Sequence, residues 1–172
     1  MTTTRMMRAS GLALAAVMTL AVLAAPRAGA QEMGIDVGSK APAAQVQTLD
    51  GKTVDLSQFL GREPVLIEFW ATWCPNCRAL EPQMLAAAKK YAGKVGFVTV
   101  AVSVNQSPEL VKRYAEKHGL VHEIVYDTHG DAVGAYQVPA TSYVVVIDRA
   151  GKVVYTGLGG DQNLEAAIRK AM

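Results

Sequence analysis

A mixed α/β fold, one central sheet covered on both faces by helices, is what this sequence predicts. Three observations predict it. Apolar runs of strand length alternate with helix-period segments through the middle of the chain. Hairpin signals stand near both ends, Asp50-Gly51 and Asp148-Arg149-Ala150-Gly151, each between segments of strand patterning. The last segment is a helix with one apolar stripe. The 172 residues are enough for one domain with a sizeable core and too few for two.

The first thirty residues stand apart. Arg5 and Arg8 precede an apolar stretch from Ala9 to Ala25, and Ala28-Gly29-Ala30 follows as a small-x-small pattern. That is the layout of a secretory signal peptide over residues 1–30, cut after Ala30. The alternative is an uncleaved membrane anchor facing the periplasm. At 17 residues the stretch is at the lower limit for crossing a bilayer, and it is rich in Ala rather than Leu. No cysteine lies near the junction, which argues against a lipid anchor. Residues 31–37 read as a flexible leader and residues 38–172 as the folded, exported domain.

Period-two patterning begins at Ala44 to Leu49, turns at Asp50-Gly51 and returns through Lys52 to Leu56. Ser57 to Gly61 reads as a short helical turn. Val65 to Trp70 is an apolar run of strand length. Leu80, Met84, Ala88 and Tyr91 then give residues 75–91 a core-directed helical face, with Pro82 inside as a kink and Gly93 as the stop. Phe97 to Val104 is a β-branched run suited to a buried parallel strand. Ser107-Pro108-Glu109 reads as an N-cap, a proline at the first helical position and an acid in the first turn, and Gly119 ends that helix. A short strand over Glu123–Tyr126 and a short helix over Asp131–Tyr136 follow. Ser142–Ile147 and Lys152–Thr156 pair as a hairpin, and Asp161 caps the last helix, with Leu164, Ala167, Ile168 and Ala171 on one stripe.

The chemistry concentrates where the Val65–Trp70 strand ends. Cys74 and Cys77 stand three positions apart at the start of a helix. There the unpaired backbone N–H groups and the positive end of the macrodipole favour a thiolate at Cys74. Cys77, one turn later on the same side, is placed to form a disulfide with it and release a bound partner. A metal site would need two further ligands, and His118, His122 and His129 lie more than 40 residues beyond Cys77 in no finger pattern. These are the only two cysteines, so no structural disulfide framework exists.

Phe69-Trp70-Ala71-Thr72-Trp73-Cys74-Pro75-Asn76-Cys77, with Pro82 and with Val138-Pro139-Ala140-Thr141 downstream, resembles the thioredoxin superfamily, in particular its exported TlpA/ResA-like, redoxin-type branch. The resemblance covers the chain from about Gly38 onward. It implies a thioredoxin fold with an N-terminal β-hairpin and a central helix–strand insertion. It also implies thiol–disulfide exchange with protein cysteines and no cofactor. Glu68, a charge within an apolar strand, matches the buried acid of thioredoxins, a carboxylate that shuttles a proton to the resolving cysteine; desolvation raises the pKa of such a group. Pro139 resembles the family's cis-proline, the alternative being a trans proline that opens the next strand. With the cis form, Val138 and Thr141 border the substrate groove and the Val138 backbone pairs with a bound strand. Trp73 and Pro75 supply apolar surface beside Cys74, and Trp70 is structural. Glu81 stands one residue beyond the acid of the cytochrome-maturation members, where Leu80 lies here. It is expected in solvent, and the haem-maturation reading loses support.

Charge narrows the partners. Loss of residues 1–30 removes Arg5, Arg8 and Arg27 and no acid, leaving 14 basic against 15 acidic residues. Nothing basic then points to nucleic acid. The expected partners are protein thiols or disulfides and an upstream redox protein, with a membrane involved only if the leader is uncleaved, and the expected state is a monomer. Two other functions compete. A thiol peroxidase would want Thr or Ser three residues before its reactive cysteine and Pro seven before, and Ala71 and Ile67 stand there. A copper(I) metallochaperone would hold its metal between Cys74 and Cys77, as soft thiolates suit that ion.

Overall fold

The structure is a computed structural model and describes Met1 and residues 34–172. Apart from Met1, the segment read as a signal peptide lies outside the described residues. Seven strands form one sheet in the order β2-β1-β5-β4-β3-β6-β7. They are β1 (Gln45–Thr48), β2 (Thr53–Asp55), β3 (Val65–Trp70), β4 (Gly96–Val102), β5 (Glu123–Asp127), β6 (Tyr143–Ile147) and β7 (Val153–Leu158). The helices among the described residues are α1 (Pro75–Lys90), α2 (Pro108–His118), α3 (Asp131–Ala135) and α4 (Leu164–Arg169), with a 3-10 turn at Leu56–Phe59.

β3 is central, and every residue in it is buried. It runs parallel to β4, Val65 opposite Gly96 and Trp70 opposite Ala101, and antiparallel to β6, with Phe69 opposite Tyr143. Side chains alternate across a strand, so β3 feeds two cores. Val65, Ile67 and Phe69 face the side where Ile35, Leu56, Ala132 and Tyr136 pack. Leu66 and Trp70 face the other side, beneath α1, α2 and α4: Leu66 packs with Leu80, Met84, Leu164 and Ile168, and Trp70 with Cys77, Ala101 and Val111. Glu68 lies on this second side by the same alternation.

Local signals set most boundaries. Ser107 accepts from the Leu110 N–H at 3.3 Å, Pro108 follows, and Gly119 closes α2 in the left-handed region at φ 64°. Asp148 folds the β6–β7 turn by accepting from the N–H groups of Ala150 and Lys152, each at 2.9 Å. α3 is capped from outside its own segment. Asp127, fully buried at the end of β5, accepts from Ala132 N–H at 3.2 Å and Val133 N–H at 2.8 Å.

Two readings are corrected. The last helix is capped by Asn163, whose side chain accepts from Ala166 N–H at 2.9 Å, and not by Asp161. The stripe of Leu164, Ala167 and Ile168 is unaffected, since it is set by the helix period. The stretch expected as a leader is tied to the domain from Gly34 onward. Ile35 is buried in the core, its N–H donates to the Tyr143 hydroxyl at 3.1 Å, and Gly38 N–H donates to Val153 O at 2.8 Å. An apolar side chain and unpaired backbone groups next to an open sheet face together draw this segment in.

Candidate active site

The turn after β3 is built to present two sulfurs at a helix N-terminus. Cys74 is the N-cap of the 16-residue α1, extended at φ −78° and ψ 116°, with Pro75 at the first helical position. Its Sγ accepts the Cys77 N–H at 3.1 Å, one of the donors a helix start leaves unpaired. Cys74 and Cys77 form a disulfide with their Cα atoms 5.3 Å apart. In this oxidised form both are buried, Cys74 at 2% and Cys77 at 5% exposure. Pro75 and Asn76 are exposed, and so is Trp73 at 42%.

The turn is clamped from two sides by residues that the sequence does not mark. Gln106, in the β4–α2 loop, accepts from both the N–H and the hydroxyl of Thr72 at 2.9 Å, while its own amide donates to Val102 O at 2.6 Å. The same loop receives the Trp73 indole N–H on Val104 O at 2.8 Å. On the other side Gly160 lies so close to α1 that a Cβ there would come within 2.8 Å of Asn76 O and of Ala79 Cβ. Gln162, buried, holds that loop by donating to Gly159 O at 2.6 Å and Ser142 O at 3.1 Å. Glutamine carries no local periodicity, so only the folded contacts reveal these two.

Below the disulfide is a narrow cavity of about 10 Å³, lined by Glu68, Trp70, Cys77, Glu81, Met84, Thr99, Leu120 and His122. Glu68 is 5% exposed, and its Oε1 has no hydrogen-bond partner. Burial, with a smaller contribution from the Glu81 charge, pushes its carboxyl up to about 8. Trp70 Nε1, Thr99 Oγ1 and both ring nitrogens of His122 are likewise buried and unpartnered.

Glu81 is half-buried rather than free in solvent. It accepts from the Tyr114 hydroxyl at 2.9 Å and lies 2.8 Å from His118 Nδ1. Leu80 points into the α1–α4 core, and the next residue is turned by about 100°. That turn carries Glu81 toward α2, whose Tyr114 and His118 rings stack at 3.9 Å beside it. Burial and the Glu81 bond push the Tyr114 hydroxyl up to about 12, so it remains a donor.

Pro139 also departs from expectation. Among the described residues there is no cis peptide bond, so Val138–Pro139 is trans. The residue set against the end of β3 is Ser142, whose N–H donates to Phe69 O at 2.8 Å. Pro139 and Thr141, both half-buried, lie in the loop before it. Val138 packs on the Phe69–Tyr136 side of the sheet, and its N–H is already taken by Val133 O at 3.0 Å, so it is not free to donate to a bound strand. The reason is one of register. The turn at Tyr136–Gln137, with Gln137 at φ 50°, uses up chain before β6, so the contact falls three residues after the proline.

Known proteins resemble this chain in sequence and in fold. Residues 36–171 match the Redoxin family. The chain belongs to that family. It is 30% identical over 135 residues to the thiol-disulfide oxidoreductase ResA of Bacillus thuringiensis subsp. konkukian, covering 78% of this chain and 76% of that one. To the thioredoxin-like protein YneN of Bacillus subtilis it is 33% identical over 124 residues, 72% of each chain. A solved thiol:disulfide interchange protein from Bacteroides sp. superposes with a TM-score of 0.65 at 26% identity, over 74% of this chain and 84% of that one. The redoxin chain is thus a thiol-disulfide oxidoreductase with a thioredoxin-like fold, and Cys74–Cys77 is its close cysteine pair.

Proposed function

We propose that the protein is exported and exchanges disulfides with protein cysteines, Cys74 attacking and Cys77 resolving. The observation that carries this assignment is the N-cap position of Cys74, with the Cys77 N–H on its sulfur and the buried Glu68 on the cavity side of Cys77. In the reducing direction, the Cys74 thiolate attacks one sulfur of a substrate disulfide, and the other leaves as a thiolate. Glu68, in its ionised form, then takes the proton of the Cys77 thiol. The Cys77 thiolate attacks Cys74 Sγ, the enzyme disulfide closes and the second substrate thiolate departs. Two electrons have passed from the Cys74–Cys77 dithiol to the substrate, and an upstream redox protein restores them. Every step reverses in the oxidising direction.

Exposed Trp73 and Pro75 form the substrate-facing surface beside Cys74. The Val138–Thr141 loop, brought alongside the end of β3 through Ser142, forms its opposite edge. Export is supported by the signal-peptide layout of residues 1–30 and by a cysteine usage confined to the redox pair. Among the described residues no helix is long and apolar enough to cross a membrane.

The trapping experiment tests the assignment. Cys77→Ser should accumulate a mixed disulfide between Cys74 and a substrate, seen by mass spectrometry, and Cys74→Ser should abolish exchange. Trapping through Cys77 in the Cys74→Ser protein would reverse the roles.

A further inference from the structure

Resolution leaves a proton on Glu68, buried in a narrow cavity, and that proton must leave before the carboxylate can act again. The cavity walls limit its exits. Trp70 offers an indole N–H that donates only, and Met84 and Leu120 are apolar. Both oxygens of Glu81 are engaged, Oε2 by Tyr114 and Oε1 by His118. His122 differs from all of these. Its two ring nitrogens are buried without a partner. The same residue also lines an open groove on the outer surface, with Thr48, Asp50, Lys52, Lys112 and Glu123. Among the described residues no other lines both spaces.

We propose that His122 is the proton exit of the redox site, a relay in the wall between the cavity under Cys77 and the outer groove, which returns Glu68 to its carboxylate after each resolution. The inference rests on the assignment of Glu68 as the proton acceptor of Cys77. The step conserves charge and moves no electrons. The Glu68 carboxyl proton passes to the unprotonated ring nitrogen of His122, and a turn of the buried ring carries the proton of the other nitrogen out to water in the groove. A ring flip or tautomer exchange resets the imidazole. A cavity of about 10 Å³ is close to the size of one water, and Thr99 Oγ1 can both give and accept along that path.

The surroundings suit a neutral relay. Burial holds the His122 imidazole below its ordinary range, with Glu81 opposing. At neutral pH it therefore carries one donor and one acceptor nitrogen, the state a relay requires. The charged and titratable groups around it are Glu68 on β3, Cys77 and Glu81 on α1, Lys112 on α2, Glu123 on β5, and Asp50 and Lys52 in the β1–β2 turn. Lys112 and Asp50 pair across the groove at 3.2 Å, which leaves no net charge at its mouth from those two groups.

The test uses the reduced full-length protein mixed with oxidised glutathione, with tryptophan fluorescence separating mixed-disulfide formation from its resolution. In His122→Gln, formation should match the wild type. Resolution near neutral pH should fall by about tenfold, the low end of general acid–base effects less what water can supply, and its pH profile should shift. In His122→Ala, free imidazole should restore the rate. Resolution in the wild type should also slow in deuterated water, and absence of that effect overturns the relay without any variant. A slow His122→Ala that imidazole does not rescue, with an unmoved pH profile in His122→Gln, would make the residue structural and overturn the proposal. If His118→Gln slows resolution and His122→Gln does not, the exit runs through Glu81, and the proposal falls. Glu68→Gln separates the two layers. A slow Glu68→Gln beside a normal His122→Gln keeps the acid and rejects the relay, whereas normal rates in both reject both.

Discussion

Glu68 sets the behaviour of the site through a single physical fact, a buried acid with no hydrogen-bond partner for Oε1. Its carboxyl titrates near 8, against an ordinary 4.5, mainly because burial disfavours the charged form. Below the lower value both folded and unfolded chains carry the proton, and the group costs nothing. Between the two values the folded chain holds more protons than the unfolded one, so stability falls as pH rises. Above the upper value the full burial cost is present, on the order of 3–5 kcal/mol from the size of the shift. Glu68→Gln, which copies the protonated shape, should remove this dependence. The oxidised proteins are the ones to compare, because their cysteines do not titrate. Melting temperatures should agree at the acid end of the window, and the variant should gain steadily toward the alkaline end. Parallel curves would place the ionised carboxylate in contact with water.

At the scale of elements, the active turn is a joint between three segments rather than a property of α1. The helix supplies Cys74 at its N-cap, the β4–α2 loop supplies Gln106, and the β7–α4 loop supplies Gly160 and Gln162. Gly160 is the tightest of these contacts. In Gly160→Ala the new methyl meets a backbone oxygen, Asn76 O, which cannot move without displacing the residues between the cysteines. The expected cost is about 1–3 kcal/mol, typical of overpacking. It should appear in urea unfolding of both oxidised and reduced protein, together with altered alkylation of Cys74. An unchanged urea midpoint would show that the loop yields without strain.

For the whole molecule, the sheet is closed over by a segment that precedes its first strand. Ile35 sits in the core that faces Phe69 and Tyr143, and Lys40 bridges to Lys152 beside β7. The N-terminal end of the domain therefore braces β6, the strand next to the one that carries the redox turn. Ile35→Ala should cost about 2–4 kcal/mol, the usual range for truncating a buried isoleucine. Urea unfolding measures it, and a loss of only a few tenths would return residues 31–37 to the role of a free leader.

What the sequence determined by itself was what short-range geometry dictates. The apolar run of Val65–Trp70, the helical spacing from Leu80 to Tyr91, the Ser107 cap, the Gly119 stop and the Asp148–Gly151 turn each depend on a few neighbouring residues. So does the redox pair, because three residues at a helix start bring two sulfurs together whatever surrounds them. Tertiary structure decided the rest. Whether Pro139 or Ser142 meets β3 depends on how much chain the preceding turn consumes. Whether Glu81 meets water or Tyr114 depends on where α2 packs. His122 and Cys77 are 45 positions apart and share a cavity only because β5 lies beside β4 on the side covered by α1. Such meetings follow from sheet order and register, which no local pattern records.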